Sequence, residues 1–173
     1  MSKLLLVVDY QTDFVTGSLG FEGAKSLEPY IAERINFYRE SGEDVAFTID
    51  THDENYMQTR ESKLLPIPHC IKGTEGWKLY GKIADMVLPE DKIFYKVAFG
   101  SSELMDYLRT KDYEEIELLG LLTNICVISN AVIAKTALPE AEVIVNSKGT
   151  KGSTEELHKE AIDVLKSLQV TVI

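Results

Sequence analysis

Cys126 sits in the segment Gly120-Leu121-Leu122-Thr123-Asn124-Ile125-Cys126-Val127, between two apolar patterns. Before it, Ile116-Glu117-Leu118-Leu119 reads as a buried strand. After it, Ile125 to Ala134 reads as a buried helix. Gly120 permits a tight turn between them, and Thr123 or Asn124 is placed to cap the helix. Cys126 then falls in the first helical turn. Unpaired N–H groups and the positive end of the helix dipole favour a thiolate there, which is the nucleophilic form. The same N–H groups can hold a developing oxyanion. A cysteine with no partners is more often a small core residue, so the chemistry depends on what else the chain brings to it.

Three further positions end apolar runs. Asp9 closes Leu4-Leu5-Leu6-Val7-Val8, Asp50 closes Asp44 to Ile49, and Lys96 closes Lys92-Ile93-Phe94-Tyr95. In an open α/β sheet, the crevice beyond the strand ends is where ligands bind. Asp9, Asp50, Lys96 and Cys126 therefore converge on one crevice. Asp50 and His52, two residues apart, project from the same side of an extended chain, and carboxylate plus imidazole is a common divalent-metal pair. Of the three histidines, His52 and His69 fall in a stretch, 51–81, without strand or helix periodicity. Such long loops are functional more often than connective. Glu61 lies between the two histidines and offers a second carboxylate. Pro66 and Pro68 stiffen the chain before His69. Cys70 is expected to point away from its neighbour and to pack as a small hydrophobe. Trp77 is expected to anchor the loop. His158, off the apolar stripe of its helix, is expected to be a plain surface residue.

The elements that must position these groups alternate along the chain. Strands are expected over 4–8, 44–50, 92–96, 116–119, 142–145 and 170–173. Helices are expected over 26–40, 103–108 and 125–134, and after a capping box at Ser153-Thr154-Glu155-Glu156. Leu27, Ile31, Ile35 and Tyr38 make one helical stripe that Gly42 terminates. In the last helix the stripe is Leu157, Ala161, Leu165 and Leu168. Alternation of this kind means a parallel or mostly parallel sheet between helices.

The chain has 173 residues and a net charge of -10. The length fits one domain over residues 1–173. The charge argues against nucleic acid or an anionic membrane as the main partner. Two cysteines make no disulfide framework, which points to a reducing, cytoplasmic setting. The apolar run Leu4 to Val8 is too short for a signal peptide, and no stretch is long enough to span a bilayer.

Taken in order, these segments resemble the isochorismatase-like cysteine hydrolases, and within them the nicotinamidase (pyrazinamidase) branch. The segments are Val8-Asp9-Tyr10-Gln11-Thr12-Asp13-Phe14, Asp50-Thr51-His52, Pro68-His69-Cys70-Ile71-Lys72-Gly73-Thr74, Lys96 with Phe99, and Gly120 to Val127. The resemblance implies a three-layer α/β/α fold with a mostly parallel six-stranded sheet. It implies Asp9, Lys96 and Cys126 as catalytic residues and Phe14 as the aromatic that packs on a bound ring. It implies a divalent metal on Asp50, His52, Glu61 and His69, zinc first, with manganese or iron as alternatives. A non-proline cis peptide is implied at Leu121-Leu122, aiming the Leu122 N–H, beside that of Cys126, at the oxyanion. The implied activity is hydrolysis of nicotinamide to nicotinate and ammonia through a thioester on Cys126. A small amide is then the partner, together with further copies of the chain in a homo-oligomer. The alternatives are a related cysteine hydrolase of another small amide, such as an N-carbamoyl compound, or a binding protein that keeps the fold without turnover. Members without the nucleophilic cysteine hydrolyse isochorismate, and Cys126 argues against that branch. The chain departs from many nicotinamidases at Pro66, where they carry an aromatic residue, and at Glu61, where some carry a third histidine.

Overall fold

Six strands lie side by side in the computed structural model, which describes residues 2–173. They are β1 (Ser2–Val8), β2 (Asp44–Asp50), β3 (Lys92–Lys96), β4 (Tyr113–Leu121), β5 (Glu142–Lys151) and β6 (Thr171–Val172). Their order is β3-β2-β1-β4-β5-β6, and every neighbouring pair is parallel. The helices are α1 (Thr12–Val15), α2 (Glu28–Glu40), α3 (Gly81–Asp85), α4 (Ser102–Leu108), α5 (Ile128–Ala137) and α6 (Glu155–Ser167).

The run in β1 is apolar at every position because both faces of the sheet are covered. Leu5 and Val7 pack with Ile31, Ile35 and Tyr38 of α2. Leu4, Leu6 and Val8 pack with Leu104 of α4, Ala131 of α5 and Leu165 of α6. The chain steps from β1 outward to β2 and β3, then returns to the other side of β1 as β4. That reversal leaves a crevice beyond the ends of β1 and β4, where such sheets bind ligands.

Gly120 lets β4 lie close against β1 at this crevice. It pairs with Val8 across the sheet, its φ is 113°, and a Cβ there would run into the Val8 carbonyl oxygen. Gly120→Ala is therefore expected to destabilise the fold by about 2–4 kcal/mol, from a disfavoured φ together with a backbone clash. Urea unfolding of the two proteins measures this, and an unchanged midpoint would contradict it.

Several expectations need correction. Helix α2 is entered through a 3-10 turn at Lys25–Leu27, and the predicted stripe Leu27, Ile31, Ile35 and Tyr38 is buried. Strands β4 and β5 run Tyr113–Leu121 and Glu142–Lys151, longer than the apolar runs 116–119 and 142–145. Helix α6 is capped by Thr154, whose side chain accepts from the Leu157 N–H, and not by Ser153. On its stripe only Ala161 and Leu165 are buried, while Leu157 and Leu168 remain exposed. Neither Thr123 nor Asn124 caps the helix after β4. That helix opens with a π turn, Thr123–Val127, preceded by Leu122 without a capping side chain.

Candidate active site

Asp9 stands at the end of β1 and is fully buried. Its φ of 44° is in the left-handed region, which turns the chain sharply out of the strand. Thr48, on the neighbouring strand, holds it from two sides. The Asp9 N–H donates to the Thr48 carbonyl at 3.1 Å, and Thr48 Oγ1 donates to Asp9 Oδ1 at 2.7 Å. Lys96, at the end of β3, reaches across β2. Its Nζ lies 2.5 Å from Asp9 Oδ2, 3.5 Å from Cys126 Sγ and 3.6 Å from Asp50 Oδ1, and donates to the Ala98 carbonyl at 3.0 Å. Cys126, in the π turn after β4, is 4 % exposed. The convergence of four strand ends expected from the sequence is what the structure builds.

The charges in this cluster constrain one another. Burial opposes the Lys96 ammonium, but Asp9, Cys126 and Asp50 outweigh it, so its pKa rises and it stays protonated. Burial raises the Asp9 carboxyl, with Lys96 pulling against it and Asp50 adding to it. Burial likewise pushes the Cys126 thiol well up, helped by the Asp9 charge and opposed by Lys96. Burial pushes Asp9 and Cys126 toward their protonated forms while Lys96 pulls both back, so their titrations are linked. A helix start favours a thiolate, but burial pushes the Cys126 thiol the other way, and Lys96 is the group that pulls it down.

Beside this cluster, Asp50 Oδ2 lies 3.2 Å from His52 Nε2 and 3.5 Å from His69 Nε2. One ligand atom from each of the three residues falls within 4.8 Å of the others. Glu61 stands at the rim, 3.5 Å from His69 and 3.8 Å from His52. Burial works against the Asp50 charge. Hydrogen bonds from both histidines and the Lys96 charge outweigh burial and hold Asp50 below the usual carboxylate range. His69 Nδ1 is 2.8 Å from the Ile67 carbonyl, so in the neutral ring it carries the proton and leaves the Nε2 lone pair facing Asp50 and Glu61. Two imidazole nitrogens and an ionised carboxylate, with a second carboxylate near, suit a divalent cation.

Phe14 is buried against the His69 ring, 5.7 Å between centroids. Leu122 follows a cis peptide at Leu121-Leu122, and its carbonyl accepts from the Ile125 and Val127 N–H groups. Cys70 is fully buried in the core, and Trp77 stacks on Tyr95 while donating to Thr51 Oγ1, so both behave as expected. His158 does not. It is half-buried, with Nδ1 2.8 Å from Thr123 Oγ1. A cavity of about 670 Å³ opens onto the site, with His52 and Glu61 on one side and Val97, Phe99 and Ile125 on the other.

Four supporting residues went unassigned in the sequence reading. Gln11 clamps Asp50 in both directions: Nε2 donates to the Asp50 carbonyl and Oε1 accepts the Asp50 N–H, each at 2.8 Å. Asn130 ties the Cys126 turn to the Lys96 loop by donating to the Cys126 and Phe99 carbonyls and accepting the Ser101 N–H. Thr48 holds Asp9, and the Tyr56 ring packs on both His52 and His69. A polar residue one turn after Cys126, inside an apolar helix, was a usable signal for Asn130. Nothing comparable marks Tyr56.

Comparison with known proteins agrees with this geometry. A family model described as Isochorismatase domain matches residues 3–173. The isochorismatase family protein PncA of Bacillus subtilis (strain 168) is 32% identical over 94% of this chain and 93% of its own length. A crystal structure of nicotinamidase/pyrazinamidase from Bacillus subtilis superposes with a TM-score of 0.89 at 29% identity, covering 99% of each chain. A crystal structure of the Pyrococcus horikoshii pyrazinamidase in complex with zinc gives 0.86 at 28% identity, covering 100% of this chain and 99% of that one. Fold, strand-end residues and the match along nearly the whole sequence together mean that the chain belongs to the isochorismatase domain family.

Proposed function

We propose that the chain is a cysteine amidohydrolase that converts nicotinamide to nicotinate and ammonia. The observation that carries this reading is Lys96 Nζ, placed between Asp9 Oδ2 and Cys126 Sγ at 2.5 and 3.5 Å, within one buried cluster. Solved relatives that share the fold are named for nicotinamide and pyrazinamide hydrolysis.

Asp9 takes the Cys126 thiol proton as the amide carbonyl approaches, and Lys96 balances the charge that remains. The thiolate adds to the carbonyl carbon, and the oxygen that becomes negative is received by the N–H groups of Leu122 and Cys126. Asp9 passes its proton to the departing nitrogen, so the C–N bond breaks with loss of ammonia and a thioester remains on Cys126. Asp9 then accepts a proton from water, whose oxygen adds to the thioester. Nicotinate leaves and the thiol is restored.

Asp50, His52 and His69, with Glu61 as a fourth donor, would hold a divalent metal, and their mixed nitrogen and oxygen donors fit zinc, manganese or iron. When bound, the metal supplies a Lewis-acidic position for the lone pair of a ring nitrogen, which orients an aromatic amide. Phe14 supports that position by packing on His69.

Ammonia release from nicotinamide, pyrazinamide and a panel of aliphatic and N-carbamoyl amides tests the reading. The aromatic amides are expected to show kcat/KM at least about a hundredfold above the others, the scale set by a ring that is bound and oriented. Turnover of an N-carbamoyl compound in preference to nicotinamide would overturn the substrate, and release from none of them would overturn the activity.

A further inference from the structure

Behind the nucleophile turn stands a polar chain that the mechanism above does not use. Thr123 is the first residue of the π turn and is fully buried. Its Oγ1 lies 2.9 Å from Thr150 Oγ1 on β5 and 2.8 Å from His158 Nδ1 on α6. A hydroxyl has one proton and two acceptor positions, so Thr123 can give to one neighbour and accept from the other. Burial lowers the His158 pKa, with Glu155 opposing and Lys151 adding to the shift, which leaves the ring neutral at pH 7. Gly152 allows α6 to come this close. A Cβ there would press on the His158 backbone at 2.8 Å and on Asn124 Oδ1 at 3.1 Å.

The turn has no capping side chain of its own. Its start is tied instead to β5 and α6 through this one hydroxyl. Thr123 is part of the same turn as Cys126, so a shift of Thr123 carries the Cys126 N–H and Sγ with it. Displacements of about an ångström at a reacting group cost up to about a hundredfold in rate.

We infer that His158 is a positioning residue for Cys126, acting through Thr123, which it holds in the arrangement that keeps Sγ beside Lys96. This rests on the reading of Cys126 as the nucleophile.

The test uses the full, metal-loaded chain and compares His158→Leu, His158→Asn, His158→Gln and Thr123→Val. The Asn side chain can place a polar atom where Nδ1 stands, whereas Gln reaches only the Nε2 position. Nicotinamide kcat and KM are measured together with the rate of Cys126 alkylation by iodoacetamide. His158→Leu and His158→Gln are expected to lower kcat about tenfold, the scale of one hydrogen bond, with KM within about twofold. Alkylation should slow in parallel, and His158→Asn should restore both rates to within about threefold. Adding His158→Leu to Thr123→Val should cost nothing further. The inference is overturned if Leu, Gln and Asn behave alike, if kcat stays within about twofold of wild type, or if the double substitution multiplies the losses. Should His158→Leu fail to fold, the contrast between Asn and Gln decides alone. Should the wild type release no ammonia from nicotinamide, the proposed activity fails, and the alkylation rates still decide the role of His158.

Discussion

Cys126→Ala is expected to lower amide turnover about ten-thousand-fold or more, and Asp9→Ala and Lys96→Ala about a thousandfold each, while double substitutions lose little beyond the worse single one. The reason is that the proposed roles of all three groups lie in one proton transfer. Asp9 and Cys126 are buried together with one compensating cation, 2.5 Å from the carboxylate and 3.5 Å from the sulfur. Removing Asp9 leaves a thiol that burial pushes toward its protonated form, without the carboxylate that hydrogen-bonds to it. Removing Lys96 leaves the Asp9 charge uncompensated in the interior, so the carboxyl keeps its own proton and cannot take another. Each change disables the same step, so the losses do not multiply. Steady-state ammonia release by the three single and two of the double variants measures this. Independent, multiplying losses would mean that the three residues serve separate steps. Near-wild-type activity of Cys126→Ala would mean that sulfur is not the nucleophile.

The parts of this site that were legible in the sequence are those that strand ends dictate. Where an apolar run stops at a charged residue, the residue marks the strand end, as Asp50 and Lys96 do for β2 and β3. Alternating helices and strands then force those ends into one crevice. The parts that were not legible depend on partners far away in the chain. Glu117 breaks the apolar pattern of β4, yet it is 1 % exposed because Arg34, Tyr38 and Asn146 all hydrogen-bond to it. No local pattern announces such a network. His158 failed for a related reason. Helical periodicity records which face is apolar, but a polar residue beside that face can still point inward when a buried hydroxyl waits for it. The π turn at Thr123 was hidden because a single added residue in a helical turn changes no residue type. Gln11 was visible as a polar residue after a strand, but its two-way hydrogen bonding to Asp50 follows from the fold.

Metal binding is expected to depend on His69 and on pH in a defined direction. The ligand form of His69 is the neutral ring. Burial works against a charge on that ring, but hydrogen bonds to Asp50 and Ile67, with the charges of Asp50 and Glu61, outweigh burial and raise its pKa above 6.5 in the metal-free protein. A metal must therefore displace a proton from His69 below that raised value, and not above it. Affinity should be greatest on the alkaline side and fall as the solution is acidified past the His69 pKa, the proton on His69 alone contributing up to about tenfold per pH unit. Asp50 contributes no such slope in this range because it stays ionised. His69→Ala and His52→Ala should each lower affinity by at least about a hundredfold, while Glu61→Gln should lower it about tenfold, because a water can replace a rim ligand. The measurement is a chelator competition with zinc at about pH 6, 7 and 8, with elemental analysis of each variant as purified. Iodoacetamide labelling of the metal-free protein is its companion, since Asp9, Lys96 and Cys126 form their cluster through contacts among themselves. Cys126 should remain alkylable without metal, while nicotinamide turnover falls. An affinity that does not change with pH, or His69→Ala protein that still retains about one metal per chain, would remove His69 from the ligand set. Loss of Cys126 reactivity on metal removal would show that positioning and acyl transfer are not separable in this site.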